Sequence, residues 1–267
     1  MEVVILPDAS AIGVAAADRI EALLRDRPDA VLGLATGSSP LPTYDELVGR
    51  CAAGRVSFAR ARAFTLDEYV GLPPDHPGTY ARVIRDELVD RVDFGADAVA
   101  GPCGDASDVV AECARYDAAI REAGGIDLQV LGIGTDGHIA FNEPGSSLAS
   151  RTRVKTLTEQ TRRDNARFFD GDLSAVPRHC MTQGLGTILE ARRLLLVATG
   201  ASKAEAVHQM VEGAVSARWP ASVLQLHPDV TALIDEEAAS RLELGDYYRF
   251  VQHHKEGVDG RVLAGPA

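Results

Sequence analysis

Asp136, His138, Asn142 and Glu143 fall within eight residues of the stretch LGIGTDGHIAFNEPGSS, Leu131 to Ser147. A histidine between carboxylates suits proton transfer. A carboxylate set against an imidazole fixes its tautomer and tunes it near neutrality, where the ring can take and return a proton. A single polar residue here would read as a capping turn; a His with two flanking acids reads as chemistry. The same stretch carries Gly132-x-Gly134-x-x-Gly137, the spacing of a dinucleotide loop. Such a loop needs a helix directly after it, with its N-terminus facing the pyrophosphate. HIAFNEPG soon meets Pro144 and Gly145, so nucleotide binding is weakly supported. His138, Asp136 and Glu143 could also hold a metal, but they lack the i,i+4 spacing of a helical ligand pair, and no metal is assigned.

Three further turns share this strand-then-turn setting. LATGSSPLPTY (34–44) offers Thr36, Gly37, Ser38 and Ser39 just before a helix that Pro40 or Pro42 would open. A helix start of this kind binds phosphate, and an ordinary Ser/Pro cap is the alternative. FTLDEYVGL (64–72) sets Asp67 and Glu68 just past a strand, either as a cap or as an acid at the edge of a site. ATGASKAEA (198–206) puts Lys203 in a first helical turn, where the helix dipole disfavours a cation unless an anion lies between. Together these turns describe a phosphate pocket with acid–base residues beside it. They imply proton transfer on a phosphorylated small molecule.

The elements that must hold these turns alternate. VVIL reads as a first strand, with Ser10 as the N-cap of a helix whose Ile12, Ala16, Ile20, Leu23 and Leu24 share a face. Short apolar strands are expected at 31–35, 61–66, 126–134 and 192–199, and later at SVLQL and TALID. Helical stripes run through Tyr44, Leu47, Val48 and Cys51, through Tyr80, Val83, Ile84 and Leu88, through Val110, Cys113, Tyr116 and Ile120, and through SKAEAVHQMVEG. Continuous apolar strands between amphipathic helices predict an α/β fold: an open, mostly parallel, doubly wound sheet with helices on both faces, Rossmann-like. A single domain over 1–250 is expected, with 151–180 as a mobile flap over the site and 251–267 as a polar C-terminal tail.

The chain has 267 residues, 46% of them hydrophobic, enough for a sizeable core. Its formal net charge of −12 argues against nucleic-acid and anionic-membrane partners. An anionic small substrate remains compatible if a few cations converge. No apolar run approaches membrane-spanning length, and MEVVILPDAS does not read as a signal peptide. The four cysteines are scattered without a C-x-x-C pair, which suits a reducing cytoplasm.

Taken in order, LGLATGSSP, LDEYVGL, GTDGHIAFNEPGSSLASRTRVKTLT, ARFFDGDLSAVP and LQLHP resemble the glucosamine-6-phosphate deaminase family, from the first strand to about Phe250. The resemblance implies conversion of D-glucosamine 6-phosphate and water to D-fructose 6-phosphate and ammonia, in N-acetylglucosamine catabolism. It implies no organic cofactor and no metal. Asp67 would move the C2 proton toward C1, and His138 would shuttle a proton during pyranose opening, with Asp136 and Glu143 setting its charge state. Thr36, Gly37, Ser38, Arg167 and Lys203 match substrate and phosphate contacts. Ser146, Arg153, Lys155 and Thr156 match a second site, which in allosteric homohexamers of the family binds N-acetylglucosamine 6-phosphate. Arg249 stands where those relatives carry tyrosine, with Tyr248 one position early. The rivals are a 6-phosphogluconolactonase of the same fold, which would lack the LDEYVGL and FNEP pair, a non-catalytic sugar-phosphate sensor, and a nicotinamide oxidoreductase.

Overall fold

The computed structural model describes residues 1–254. In chain order the elements are β1 (Glu2–Leu6), α1 (Ala9–Asp26), β2 (Val31–Leu34), α2 (Leu41–Ala52), β3 (Arg62–Thr65), β4 (Asp67–Tyr69), α3 (Tyr80–Glu87), β5 (Val99–Ala100) and α4 (Val109–Glu122). Then follow β6 (Leu128–Leu131), β7 (Arg153–Thr156), α5 (Glu159–Asn165), β8 (His179–Thr182), α6 (Leu185–Ile188), β9 (Leu194–Ala198), α7 (Ala204–Val211), β10 (Val230–Asp235) and α8 (Gly245–His254).

Seven strands form a parallel sheet in the order β1-β10-β9-β6-β2-β3-β5. Its central strands are buried at every residue, as a sheet covered on both faces requires. From β2 the chain builds outward through β3 to β5; from β6 it builds the other way through β9 and β10. The order therefore reverses between β2 and β6. Loops leaving the carboxyl ends of two such strands splay apart and leave a crevice, the preferred ligand site of open α/β sheets. The two turns that the sequence marks, Thr36–Ser39 and Gly132–Gly137, leave these two strands. This is the α/β architecture expected.

The second sheet was not expected. β4, β8 and β7 form a three-stranded antiparallel sheet, with Asp67 opposite Thr182 and Arg153 opposite the same Thr182. Its strands are three or four residues long, too short for alternation to stand out from a turn. The expected flap over 151–180 is thereby tied down at both ends, by β7 and by the lead into β8. It also has a core of its own. Tyr69, Tyr80, Phe141, Leu157, Ala166, Phe169, Val176 and Cys180 pack together beneath it.

Local corrections have physical causes. Asp8, not Ser10, caps α1: Asp8 is extended and its carboxylate accepts the Ala11 N–H at 2.9 Å. A carboxylate also suits the positive end of the helix dipole. SVLQL forms no strand but part of a 3-10 run, Pro220–Leu226. Pro220 supplies a φ suited to a helical turn, and Ala221 N–H donates to Gly137 O. So short a mixed stretch carries no period that separates strand from helix. Val110 does not face the core; it is 73% exposed, at the start of α4 where the turn overhangs solvent. α8 crosses the point where the tail was expected to begin, and 255–267 lie outside the described residues.

One contact ties the fold to the crevice. The buried Tyr44 hydroxyl donates to Ala35 O at 2.7 Å and accepts the Ala35 N–H at 3.1 Å. It thus pairs both backbone groups of the residue just before Thr36. Tyr44→Phe leaves that N–H and carbonyl buried and unpaired, and should cost about 1–3 kcal/mol. The urea midpoint of the variant checks this; an unchanged midpoint would mean that Ala35 finds other partners.

Candidate active site

The crevice between the β2 and β6 turns is an open cleft. Thr36, Gly37, Ser38, Asp67, His138, Arg167 and Lys203 all line it. They come from widely separated parts of the chain, brought to one place by the large sheet, the second sheet and the segment after α5. Asp136 and Glu143 stand behind His138 rather than in the wall.

Asp67 begins β4, directly after the chain leaves β3. It is 5% exposed. Burial pushes its carboxyl well above the ordinary range, the neighbouring Glu68 adds to the rise, and the Phe141 N–H opposes it. Glu68 is itself buried and raised by that burial, against the Ala81, Tyr80 and Tyr69 N–H groups that its carboxylate accepts. Those bonds fasten the N-terminal turn of α3, and with it Tyr80, to the wall of the cleft. Asp67 is a base whose anion is costly, and such a base is avid for a proton.

His138 lies with its ring against the backbone of Gly134. A Cβ at Gly134 would sit 2.3 Å from Cε1, 2.4 Å from Nδ1 and 2.5 Å from Nε2, so only glycine leaves room for the imidazole. Gly137 has φ +83°, and a Cβ there would meet the Trp219 ring at 2.6 Å. No regular helix follows this loop; the next element is β7. The glycines therefore serve the histidine and a turn, and the dinucleotide reading falls away.

Nδ1 of His138 lies 2.8 Å from Asp136 Oδ1 and 3.7 Å from Glu143 Oε2. Neither contact is aligned as a hydrogen bond. Asp136 also accepts the His138 backbone N–H at 3.2 Å. Burial works to raise the Asp136 carboxyl, but the His138 contacts outweigh it and hold the group far below the usual carboxylate range. One donor atom each from Asp136, His138 and Glu143 lie within 4.8 Å of one another, a span that would admit a metal ion. The same closeness follows from an imidazole set between two counter-ions, and nothing further favours a metal.

The opposite wall is built for an anion. Gly37 has φ +99°, the left-handed region that glycine enters freely, and it turns the chain between Thr36 and Ser38. Lys203, expected in a first helical turn, closes the 3-10 turn Ala201–Lys203 and stands at the N-cap position of α7. Its pKa is lowered by burial first, and by Arg167; Asp164 and Asp136 pull it back up. Two cations that repel each other in one cleft are relieved by a dianion. Arg167 reaches the cleft from the 3-10 turn Ala166–Phe168 and stacks over the Phe168 ring at 4.7 Å.

Ser146, Arg153, Lys155 and Thr156 line none of this cleft. Arg153 is no solvated edge residue: it is half-buried and donates to Asn142 Oδ1 at 2.8 Å. Thr156 sits 3.3 Å from the His179 ring. Tyr248 is engaged with Glu212, and burial with that carboxylate pushes its hydroxyl up to about 12. Arg249 pairs with Glu236 at 2.5 Å. Sequence reasoning missed Tyr80, Thr135, Phe141, Thr161 and Asn165 as cleft residues. Thr161 carried a signal, as the third residue after the Thr158 cap; the aromatic pair reads as ordinary core.

Residues 8–233 match the family described as glucosamine-6-phosphate isomerases/6-phosphogluconolactonase. The chain is 68% identical to a glucosamine-6-phosphate deaminase of Mycolicibacterium smegmatis, over 97% of this chain and all of that protein. It is 66% identical to one of Beutenbergia cavernae, over 93% and 95%. A solved monomeric glucosamine-6-phosphate deaminase superposes with a TM-score of 0.88 at 44% identity, covering 90% of this chain and 99% of that one. The 6-phosphogluconolactonase of Trypanosoma brucei superposes with a TM-score of 0.71 at 22% identity, covering 90% and 98%, and shares the fold.

The burial of Asp67 makes a stability prediction. Its folded pKa is raised, so the stabilising form is the protonated one, complete at low pH and lost as pH rises through the folded value. Asp67→Asn keeps the shape without the charge. At pH 7–8 its thermal midpoint should equal or exceed that of the native protein, and the difference should close as pH falls. A variant markedly less stable at pH 8 would show that the anion is stabilised by its surroundings after all.

Proposed function

Because the chain belongs to the glucosamine-6-phosphate isomerase/6-phosphogluconolactonase family, we infer that it converts D-glucosamine 6-phosphate and water to D-fructose 6-phosphate and ammonia. Full-length identity to deaminases supports this branch over the lactonases, which share the fold at about a fifth identity. The observation that carries it is the pairing, across one cleft, of a buried lone carboxylate with an imidazole held by two acids. Lactone hydrolysis needs no base for a C–H bond; aldose–ketose isomerisation does.

On this reading the phosphate lies on the Thr36–Ser38 turn between Arg167 and Lys203. His138 carries the proton between ring oxygen and anomeric hydroxyl as the pyranose opens. Asp136 and Glu143 keep imidazolium affordable during that transfer. Asp67 then removes the C2 proton from the open aldehyde and returns it at C1. With a second proton passing from the amine nitrogen to the C1 oxygen, this turns the 2-amino aldose into the imine of the 2-ketose. Water adds to the imine carbon and ammonia leaves, giving the ketose. Nothing in this sequence calls for an organic cofactor. A cytoplasmic location and a role in N-acetylglucosamine breakdown go with the reading.

A homohexamer with N-acetylglucosamine 6-phosphate as effector is its regulatory part. Supporting it, Arg153 Nη2 and the Ser146 hydroxyl are buried without hydrogen-bond partners, which a phosphate would satisfy. Opposing it, the solved relative at 44% identity is monomeric. Light scattering and substrate curves with and without the effector decide this part, apart from the chemistry.

The central test is release of ammonia and fructose 6-phosphate from glucosamine 6-phosphate. Hydrolysis of 6-phosphogluconolactone without ammonia release would assign the chain to the other branch. Arg167→Ala and Lys203→Ala should each raise KM roughly ten- to hundredfold, from lost charge-assisted contacts of about 1.5–3 kcal/mol. Native KM in both variants would move the phosphate elsewhere.

A further inference from the structure

Glu143 is 3% exposed, and its two oxygens are used differently. Oε1 accepts the Thr161 hydroxyl at 2.6 Å, with the Thr158 hydroxyl and N–H more distant at 3.4 Å each. Oε2 is buried without a hydrogen-bond partner and lies 3.7 Å from His138 Nδ1. A carboxylate can turn about its last bond, so an asymmetric set of donors decides which oxygen faces which neighbour. Thr161 supplies the one short bond of that set.

Those donors belong to the start of α5. Thr158 is its N-cap and accepts the Thr161 N–H at 3.1 Å, and the two hydroxyls lie 2.9 Å apart. From α5 the chain runs directly into the turn that carries Arg167. Asp164 and Asn165 of α5 line the cleft as well. The carboxylate behind the imidazole is thus also the anchor of the segment that brings an arginine to the cleft.

We propose that Thr161 is a positioning residue, whose hydroxyl holds Glu143 with Oε2 toward His138 and so ties the seating of α5 to the counter-ion of the imidazole. The inference rests on the deaminase reading, in which His138 carries the ring-opening proton. The charged groups facing that imidazole are Asp136 and Glu143 beside it and Asp67, Asp164, Arg167 and Lys203 around the same cleft. Thr161 bears no charge and acts only through the geometry of one of them. Without its hydroxyl the carboxylate is free to turn, and the start of α5 loses its shortest link to the loop beneath it.

The test compares Thr161→Val, which keeps the shape without the hydroxyl, with Thr161→Ser, which keeps the hydroxyl without the shape. On glucosamine 6-phosphate, Thr161→Val should lower kcat roughly ten- to hundredfold, the worth of a hydrogen bond to a charged group. Thr161→Ser should stay within about threefold of the native enzyme, on the scale of a modest side-chain change. In a Glu143→Ala background, Thr161→Val should cause no further loss, because the hydroxyl then has no carboxylate to hold. Native kcat in Thr161→Val, equal loss in Thr161→Ser, or additive loss in the double variant would each overturn the proposal. Should Thr161→Val fail to fold, Thr161→Ala removes the same hydroxyl and carries the comparison. A native enzyme that releases no ammonia would instead defeat the deaminase reading itself.

Discussion

A carboxyl group kept from water without a cation is the constraint on which this site depends. Among the described residues Asp67 forms no ion pair, and its nearest charge is another carboxylate, Glu68. The cations Arg167 and Lys203 line the same cleft. The acid pair behind His138 follows the opposite logic, with two counter-ions for one ring. Two carboxylate environments pushed apart in this way give two different proton tasks within one pocket.

Much of this was legible before any coordinates, because its signals are local. Gly/Ser turns after apolar runs mark strand ends, and the sheet gathers those ends on one edge. Thr36, Asp67, His138 and Lys203 were found that way, and all face one cleft. What escaped is held by distant pairing. β4 and β8 are separated by more than a hundred residues and recognise each other only through a short antiparallel register, Asp67 against Thr182. Nothing near DEY announces that partner. The inward turn of Arg153 escaped for a different reason: its acceptor, Asn142, lies only 11 residues back, but no local pattern turns the strand toward it. The 3-10 run at Pro220–Leu226 was misread because so short a mixed stretch carries no period to choose between strand and helix.

Gly134 shows how a motif can be right in form and wrong in meaning. Glycine after a strand lets something approach the backbone. In a nucleotide site that visitor is a pyrophosphate; here it is an imidazole from the same loop. The spacing alone cannot tell the two apart. The proline and glycine that follow His138 can, since they forbid the helix a pyrophosphate would need.

Among the described residues β1 pairs with no strand but β10, at the edge of the large sheet. Its ladder must therefore wait for a strand far along the chain. Until Val230–Asp235 is made, Glu2–Leu6 has no ladder to join, although α1 already packs on α2. The finished edge is then closed from the other terminus as well, where Gln252 of α8 accepts the Ile5 N–H at 3.1 Å. Such closure by the most distant contacts in sequence is slow, because its loop entropy is lost before any pairing compensates it. Synthesis in this order leaves an apolar strand without its ladder while the segment between β1 and β10 is made, a stretch of exposure that favours aggregation.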